Sequence, residues 1–205
     1  MTSHPSDPDA HLWHLVARRC EPGADRAAID AEIWATFGTD SAVMFTDLSG
    51  FSRRVAEFGI LHFLQVIHEQ KALLLPIVAA HDGVHLKTEA DSFLLRFPDP
   101  AQALRCAVAM QAACEAHNVD RKPEDQVLLC VGLGWGRILQ IGMTDVWGQE
   151  VNAASKLGED TAQAREILVT DAFKRQVEGR GAWRFTAIEA VSGSDVNWRV
   201  AERVE

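Results

Sequence analysis

In the segment D-V-W-G-Q-E-V-N-A-A-S-K, residues 145–156, Asp145 stands before a glycine, and Asn152 and Lys156 stand after it. Gly148 breaks the segment and helical composition begins at Gln149, so Asn152 and Lys156 share one helical face, residues four apart being neighbours on a helix. A carbonyl, two amide hydrogens and an ammonium then point the same way. Two more acids stand far apart in the chain: Asp47 closes the apolar run S-A-V-M-F-T-D, and Asp91 lies in the turn of V-H-L-K-T-E-A-D-S-F-L-L-R-F. Set side by side in a sheet they would raise each other's pKa unless a cation lay between them. Few, hard oxygen ligands suit Mg²⁺ or Mn²⁺, which bind through one or two carboxylates with phosphate and water completing the shell. Two such ions activate a hydroxyl and clamp phosphates in an in-line displacement.

The turn L-S-G-F-S directly after Asp47 adds a phosphate cradle, because backbone N–H groups at a helix start, here around Ser49, Gly50 and Phe51, face outward. Alone, D-x-S-G-F is more often a plain helix cap. The plain alternatives for the others are a solvated strand edge for Lys87, an exposed helix face for Asn152 and Lys156, and a turn residue for Asp145.

The elements that must position these residues follow from the hydrophobic pattern. Residues 1 to about 9 are polar and expected to lack order; two short helical patterns then end at Gly38, giving an N-terminal extension over residues 1–40 ahead of a main domain over 41–205. S-A-V-M-F-T-D reads as a buried strand. The stretch from Leu61 to about His81 is helical in composition, with Pro76 expected to bend or split it. Val84 and Leu86 alternate with His85, Lys87 and Glu89, and a hairpin around Ala90 fits. Residues 99–117 form a helix with a small-residue face, V-L-L-C-V-G-L-G-W-G-R-I forms a strand, and strand, helix and two strand-like runs at 182–190 and 196–201 complete an α+β fold, one antiparallel sheet covered by helices. Gly132, Gly134 and Gly136 share one strand face, where something can approach closely.

Bulk composition excludes some partners. A net charge of −9 without a basic block argues against nucleic acid, and a small polyanion would need metal ions and local cations to offset that field. No apolar run suggests a span, and the first twenty residues lack a signal-peptide pattern, so a cytoplasmic location without membrane insertion is expected. Cys20, Cys106, Cys114 and Cys130 form no C-x-x-C pair and are expected to be buried thiols. The eight histidines form no ligand set.

F-T-D-L-S-G-F, G-V-H-L-K-T-E-A-D-S-F, V-G-L-G-W-G and D-V-W-G-Q-E-V-N-A-A-S-K-L, in this order, resemble the catalytic domain of the class III adenylyl and guanylyl cyclases over about residues 41–170. The resemblance implies a ferredoxin-like sheet and a homodimer that converts a nucleoside triphosphate to a 3′,5′-cyclic nucleotide and pyrophosphate at the subunit interface. It implies that Asp47, Asp91 and the carbonyl of Leu48 hold two divalent ions, that Lys87 and Asp145 read adenine, that Asn152 orients the ribose, and that Lys156 stands where the family has a transition-state arginine. The Lys87–Asp145 pair fits the acceptor–donor edge of adenine and equally that of cytosine, while guanine presents the reverse. A pyrimidine cyclase and a catalytically weak nucleotide-binding module are therefore the alternatives. Three departures are visible: lysine for arginine at 156, alanine for glycine at 90, and no counterpart of the family's polyphosphate-binding lysine, for which Lys174, Arg180, Arg184 and Arg199 are the available cations.

Overall fold

The computed structural model describes residues 7–189 and 196–201. Helix α1 (Pro8–Arg19) starts on an Asp7 side chain that accepts from the Asp9 amide, and α2 (Arg26–Phe37) starts on Asp25, which accepts from the Ala28 amide. Such caps satisfy amides that a helix start leaves unpaired. Order therefore begins by residue 7, earlier than the polar composition suggested; residues 1–6 lie outside the described part.

Strand β1 (Gly38–Leu48) follows α2 without a linker, then α3 (Phe51–Phe58), α4 (Ile60–Ala80), β2 (Val84–Glu89), β3 (Ser92–Phe97) and α5 (Pro100–Asn118). After a short 3-10 turn at Pro123–Asp125 come β4 (Leu129–Ile141), β5 (Asp145–Trp147), α6 (Gln149–Ser155) running into a π-helical turn (Lys156–Thr161), β6 (Ile167–Thr170), α7 (Asp171–Val177), β7 (Arg184–Ile188) and β8 (Asn197–Ala201). Pro76 sits inside α4 without ending it. Leu74 and Val78, buried on either side, anchor both halves in one core and hold the helix across the missing donor. By length and composition α4 could cross a membrane, yet Phe63, Val66, Ile67, Leu74 and Val78 are packed on the sheet.

The strands run β2-β3-β1-β4-β6-β8-β7, with β5 added to the end of β4. All pairs are antiparallel except β4 with β6. Strand alternation divides the core in two. Met44, Phe93, Leu95, Phe97 and Leu133 face α4, α5 and α7, while Val43, Leu94 and Ile138 face Val151 of α6. A third cluster, Leu12, Leu15, Ile29, Ile33 and Phe37 with Ile141, fixes α1 and α2 to the far end of β4. Three cysteines are buried as expected; Cys20, beyond the end of α1, is exposed because no element covers that turn.

Candidate active site

The β1–β3 register, with Thr46 opposite Phe93, brings the two distant aspartates together. Ser92 Oγ donates to Asp47 Oδ1 at 3.2 Å, and the Leu48 amide donates to Asp91 Oδ2 at 3.3 Å. Asp91 is 5% exposed. Burial, and after it the neighbouring Asp91 carboxylate, pushes Asp47 up to about 7; burial also raises Asp91, with the charge of Glu159 adding to it. Two desolvated acids that titrate as a pair form a site that a divalent cation relieves. Among the described residues no group of three or more His, Cys, Asp or Glu could hold a metal. Two carboxylates alone fit ions whose remaining ligands are phosphate and water, so the donor set agrees with Mg²⁺ or Mn²⁺ held by Asp47 and Asp91. Leu48 is buried, its amide given to Asp91.

After Leu48 the chain turns through Gly50 at φ 80°, a left-handed conformation that glycine adopts without strain. No side chain caps α3, so its first amides keep the outward polarity of an anion cradle. The Ser49 amide is already committed, donating to the Leu128 carbonyl at 2.9 Å. The Phe51 ring meets Phe63 edge-on at 4.1 Å and anchors the helix start in the core.

Lys87 departs from the expected alternation. The β2–β3 register shifts between His85 and Lys87, so Lys87 pairs with Leu94 and shares the α6 side with Val84 and Leu86, while His85 meets Phe93 on the other. A bulge re-aims every side chain beyond it. Here it turns the ammonium toward Asp145 Oδ1 at 3.4 Å and Glu89 Oε1 at 2.9 Å. Lys87 is raised, first by its hydrogen bond to Glu89 and then by Asp145. Asp145 opens β5, a strand absent from the sequence reading, and Asp145 Oδ1 also accepts from the Val146 amide at 2.9 Å.

Helix α6 lies directly on the glycine face of β4. A Cβ at Gly132 would stand 2.2 Å from the Ala154 carbonyl oxygen and one at Gly134 2.6 Å from that of Glu150. Glu150, Ala154 and Gly158, four apart, are thus the inner face. Asn152 lies two residues from both Glu150 and Ala154, roughly 200° around the helix, and is exposed. Lys156 begins the π turn, half-buried.

Three of the four C-terminal cations are engaged elsewhere. Lys174 pairs with Glu178 and stands over the Trp198 ring, Arg180 pairs with Asp99, and Arg199 pairs with Glu166. Strand β8 is also three places from β1 in the sheet order, about 14 Å at the usual spacing.

The family model described as the adenylate and guanylate cyclase catalytic domain matches residues 38–193. The chain belongs to that family. Among curated relatives it is 29% identical over 140 residues to "Putative adenylate cyclase 3" of Rhizobium meliloti (strain 1021), covering 68% of this chain and 24% of that protein. This cyclase domain thus spans about a quarter of the length of that relative. Among solved structures, the adenylate/guanylate cyclase/hydrolase from Silicibacter pomeroyi aligns with a TM-score of 0.67 at 24% identity, over 82% of this chain and 99% of that one. The adenylyl cyclase CyaB from P. aeruginosa aligns with a TM-score of 0.67 at 19% identity, over 80% and 96%. The fold is therefore the α+β cyclase catalytic fold, its mixed sheet covered by helices.

Three residues around the site were not singled out from the sequence. Gln70 donates to the main-chain oxygen of Asp91 at 3.0 Å, Glu89 holds Lys87, and Glu159 lines a small cleft with Phe45, Lys87, Glu89 and Ser92. A glutamine in an apolar helix was the one trace that pointed to a buried polar contact.

Proposed function

We propose that this cyclase domain converts ATP to 3′,5′-cyclic AMP and pyrophosphate in a homodimer, with Asp47 and Asp91 holding two Mg²⁺ or Mn²⁺ ions. The observation that carries the reading is the convergence of Asp47 and Asp91, remote in sequence, on the side of the sheet that also bears the Lys87–Asp145 pair. Divalent ions bound there supply Lewis acidity toward the ribose 3′-hydroxyl and the phosphate oxygens. The 3′-hydroxyl gives up its proton to water and its oxygen bonds to the α-phosphorus, as the bond from that phosphorus to the bridging oxygen of the β-phosphate breaks and pyrophosphate leaves. Asp145 accepts from the adenine amino group and Lys87 donates to the adjacent ring nitrogen. The amides at the start of α3 take up phosphate charge. Asn152 orients the ribose and Lys156 meets the charge that develops at phosphorus.

The direction of α6 supports the homodimer. Its inner face is spent on Gly132 and Gly134, so Asn152 faces away from the sheet that carries Asp47. A second copy facing it supplies the other half of the site.

One observation favours a different base. Glu89 puts a second carboxylate on Lys87, so one donor stands between two acceptors. Guanine, whose edge runs carbonyl, N–H, NH₂, needs one donor at the end of two acceptors, a set that Lys87, Asp145 and Glu89 supply in number once Lys87 moves from between the carboxylates to one side. Incubating the purified protein and Glu89→Ala with all four triphosphates and Mn²⁺, and identifying products by mass spectrometry, decides the matter. Cyclic AMP from the wild type, abolished in Asp47→Ala and Asp91→Ala, is expected. Cyclic GMP that Glu89→Ala loses selectively would assign guanine, and triphosphate binding without any cyclic product would make the domain a nucleotide-binding module.

A further inference from the structure

We propose that the groove between α5 and the β6–β8 end of the sheet binds a small aromatic anion. The groove measures about 480 Å³, within the range of small-molecule sites, roughly 300–1,000 Å³. It lies on the α5 side of the sheet, whereas Asp47 faces the α6 side. Val108, Ala109 and Ala112 of α5 form one wall, and Ile167, Trp183 and Val200 the other. An aliphatic wall facing an indole suits a flat aromatic body.

Gln111 fixes the wall of the groove to the sheet beneath it. It is 8% exposed, and its Nε2 donates to the Leu129 oxygen at 3.1 Å and the Glu166 oxygen at 3.4 Å. Those two carbonyls fix the amide, because the flipped group would set oxygen against oxygen. Gln111 Oε1 is sealed away from solvent, with no hydrogen-bond partner among the described residues, and the rest of the side chain forms part of the groove's lining.

Charge at the mouth selects an anion. Arg165 and Arg105 line the rim together with one acid, Glu115. Arg105 is turned toward Gln102 and, at 3.9 Å, Asp99. Arg165 forms no ion pair among the described residues, and its backbone is held at φ 71° by an amide donating to the Leu129 oxygen at 2.7 Å. A non-glycine residue in that conformation is uncommon. Here the backbone lock and the Gln111 amide end on the same Leu129 carbonyl, so one peptide positions both the groove's wall and its cation.

The probe is 1-anilinonaphthalene-8-sulfonate, which carries an aromatic body, one N–H and one anionic group; N-phenyl-1-naphthylamine is its uncharged counterpart. Fluorescence titration of the full chain is expected to give one saturable site per chain that excess ATP does not displace. Ala112→Trp, at an exposed position, fills the groove and should weaken both probes at least tenfold, with Val108→Asp as the second blocking variant. Arg165→Glu should weaken the sulfonate at least tenfold and leave the uncharged probe within about twofold. Binding that survives both blocking variants while circular dichroism and melting match the wild type overturns the proposal. So does displacement by ATP, the absence of a saturable site, or equal loss of both probes in Arg165→Glu.

Discussion

The side-chain amide of Gln70, wholly buried on α4, donates to the main-chain oxygen of Asp91 at 3.0 Å. The contact ties the turn between β2 and β3 to the long helix behind it. Asp91 is thereby held from two sides, its carboxylate by the Leu48 amide and its peptide by Gln70. Partners of this kind, one step removed from a metal, set how tightly the metal binds.

Gln70→Leu, close in size and without the donor, is therefore expected to lower apparent Mn²⁺ affinity by roughly tenfold or more. Gln70→Glu cannot donate when ionised and should do no better. Titration calorimetry with Mn²⁺, which needs no turnover, measures this directly; unchanged affinity in Gln70→Leu would remove Gln70 from the site.

Asp47 and Asp91 both have folded-state pKa values above their unfolded ones, so the folded, metal-free chain keeps protons that the unfolded chain has released. The stability from this pair is full below about pH 4 and is lost as the pH rises toward about 7. In the presence of a chelator, Asp47→Asn should therefore melt a few degrees above wild type near pH 8 and no higher near pH 4. Added Mn²⁺ should raise the melting temperature of the wild type more than that of the variant.

Ala90 occupies φ 51° in the hairpin turn, where a side chain costs roughly 1–2 kcal/mol. Replacing it with glycine removes that strain and returns part of the gain as unfolded-chain entropy. Ala90→Gly is expected to stabilise the fold by about 0.5–1 kcal/mol, a rise of about 1–4 °C in Tm.

Gly132→Ala tests the seating of α6. The added methyl would lie 2.2 Å from the Ala154 oxygen and 2.3 Å from the Gly158 nitrogen, both main-chain atoms with no rotamer to give way. Overpacking of this kind costs about 1–3 kcal/mol or more. Urea unfolding should show that loss, and turnover should fall with it because Asn152 and Lys156 ride on the displaced segment.

Much of this was legible in advance wherever local chemistry and tertiary structure agree. The glycines of β4 signalled close approach, and close approach by α6 is what they permit. Asp47 and Asp91 could be paired because a strand end and a hairpin turn converge in an antiparallel sheet. Lys87 was placed on the wrong side because a bulge leaves no mark in an alternating pattern: one extra residue inverts everything beyond it. The Pro76 expectation weighed a lost hydrogen bond against nothing, whereas the helix weighs it against Leu74 and Val78 in the core. Glu89 and Gln70 escaped notice because their roles depend on neighbours close in space and distant in sequence.

The one parallel pair in the sheet, β4 beside β6, imposes a condition of its own. Two strands running the same way cannot be joined by a tight turn; the chain must travel back along the full length of the layer before it can start again. Residues 142–166 make that return journey, and Asp145, Asn152 and Lys156 are all passengers on it. Trimming this connection would therefore cost the topology as well as the chemistry.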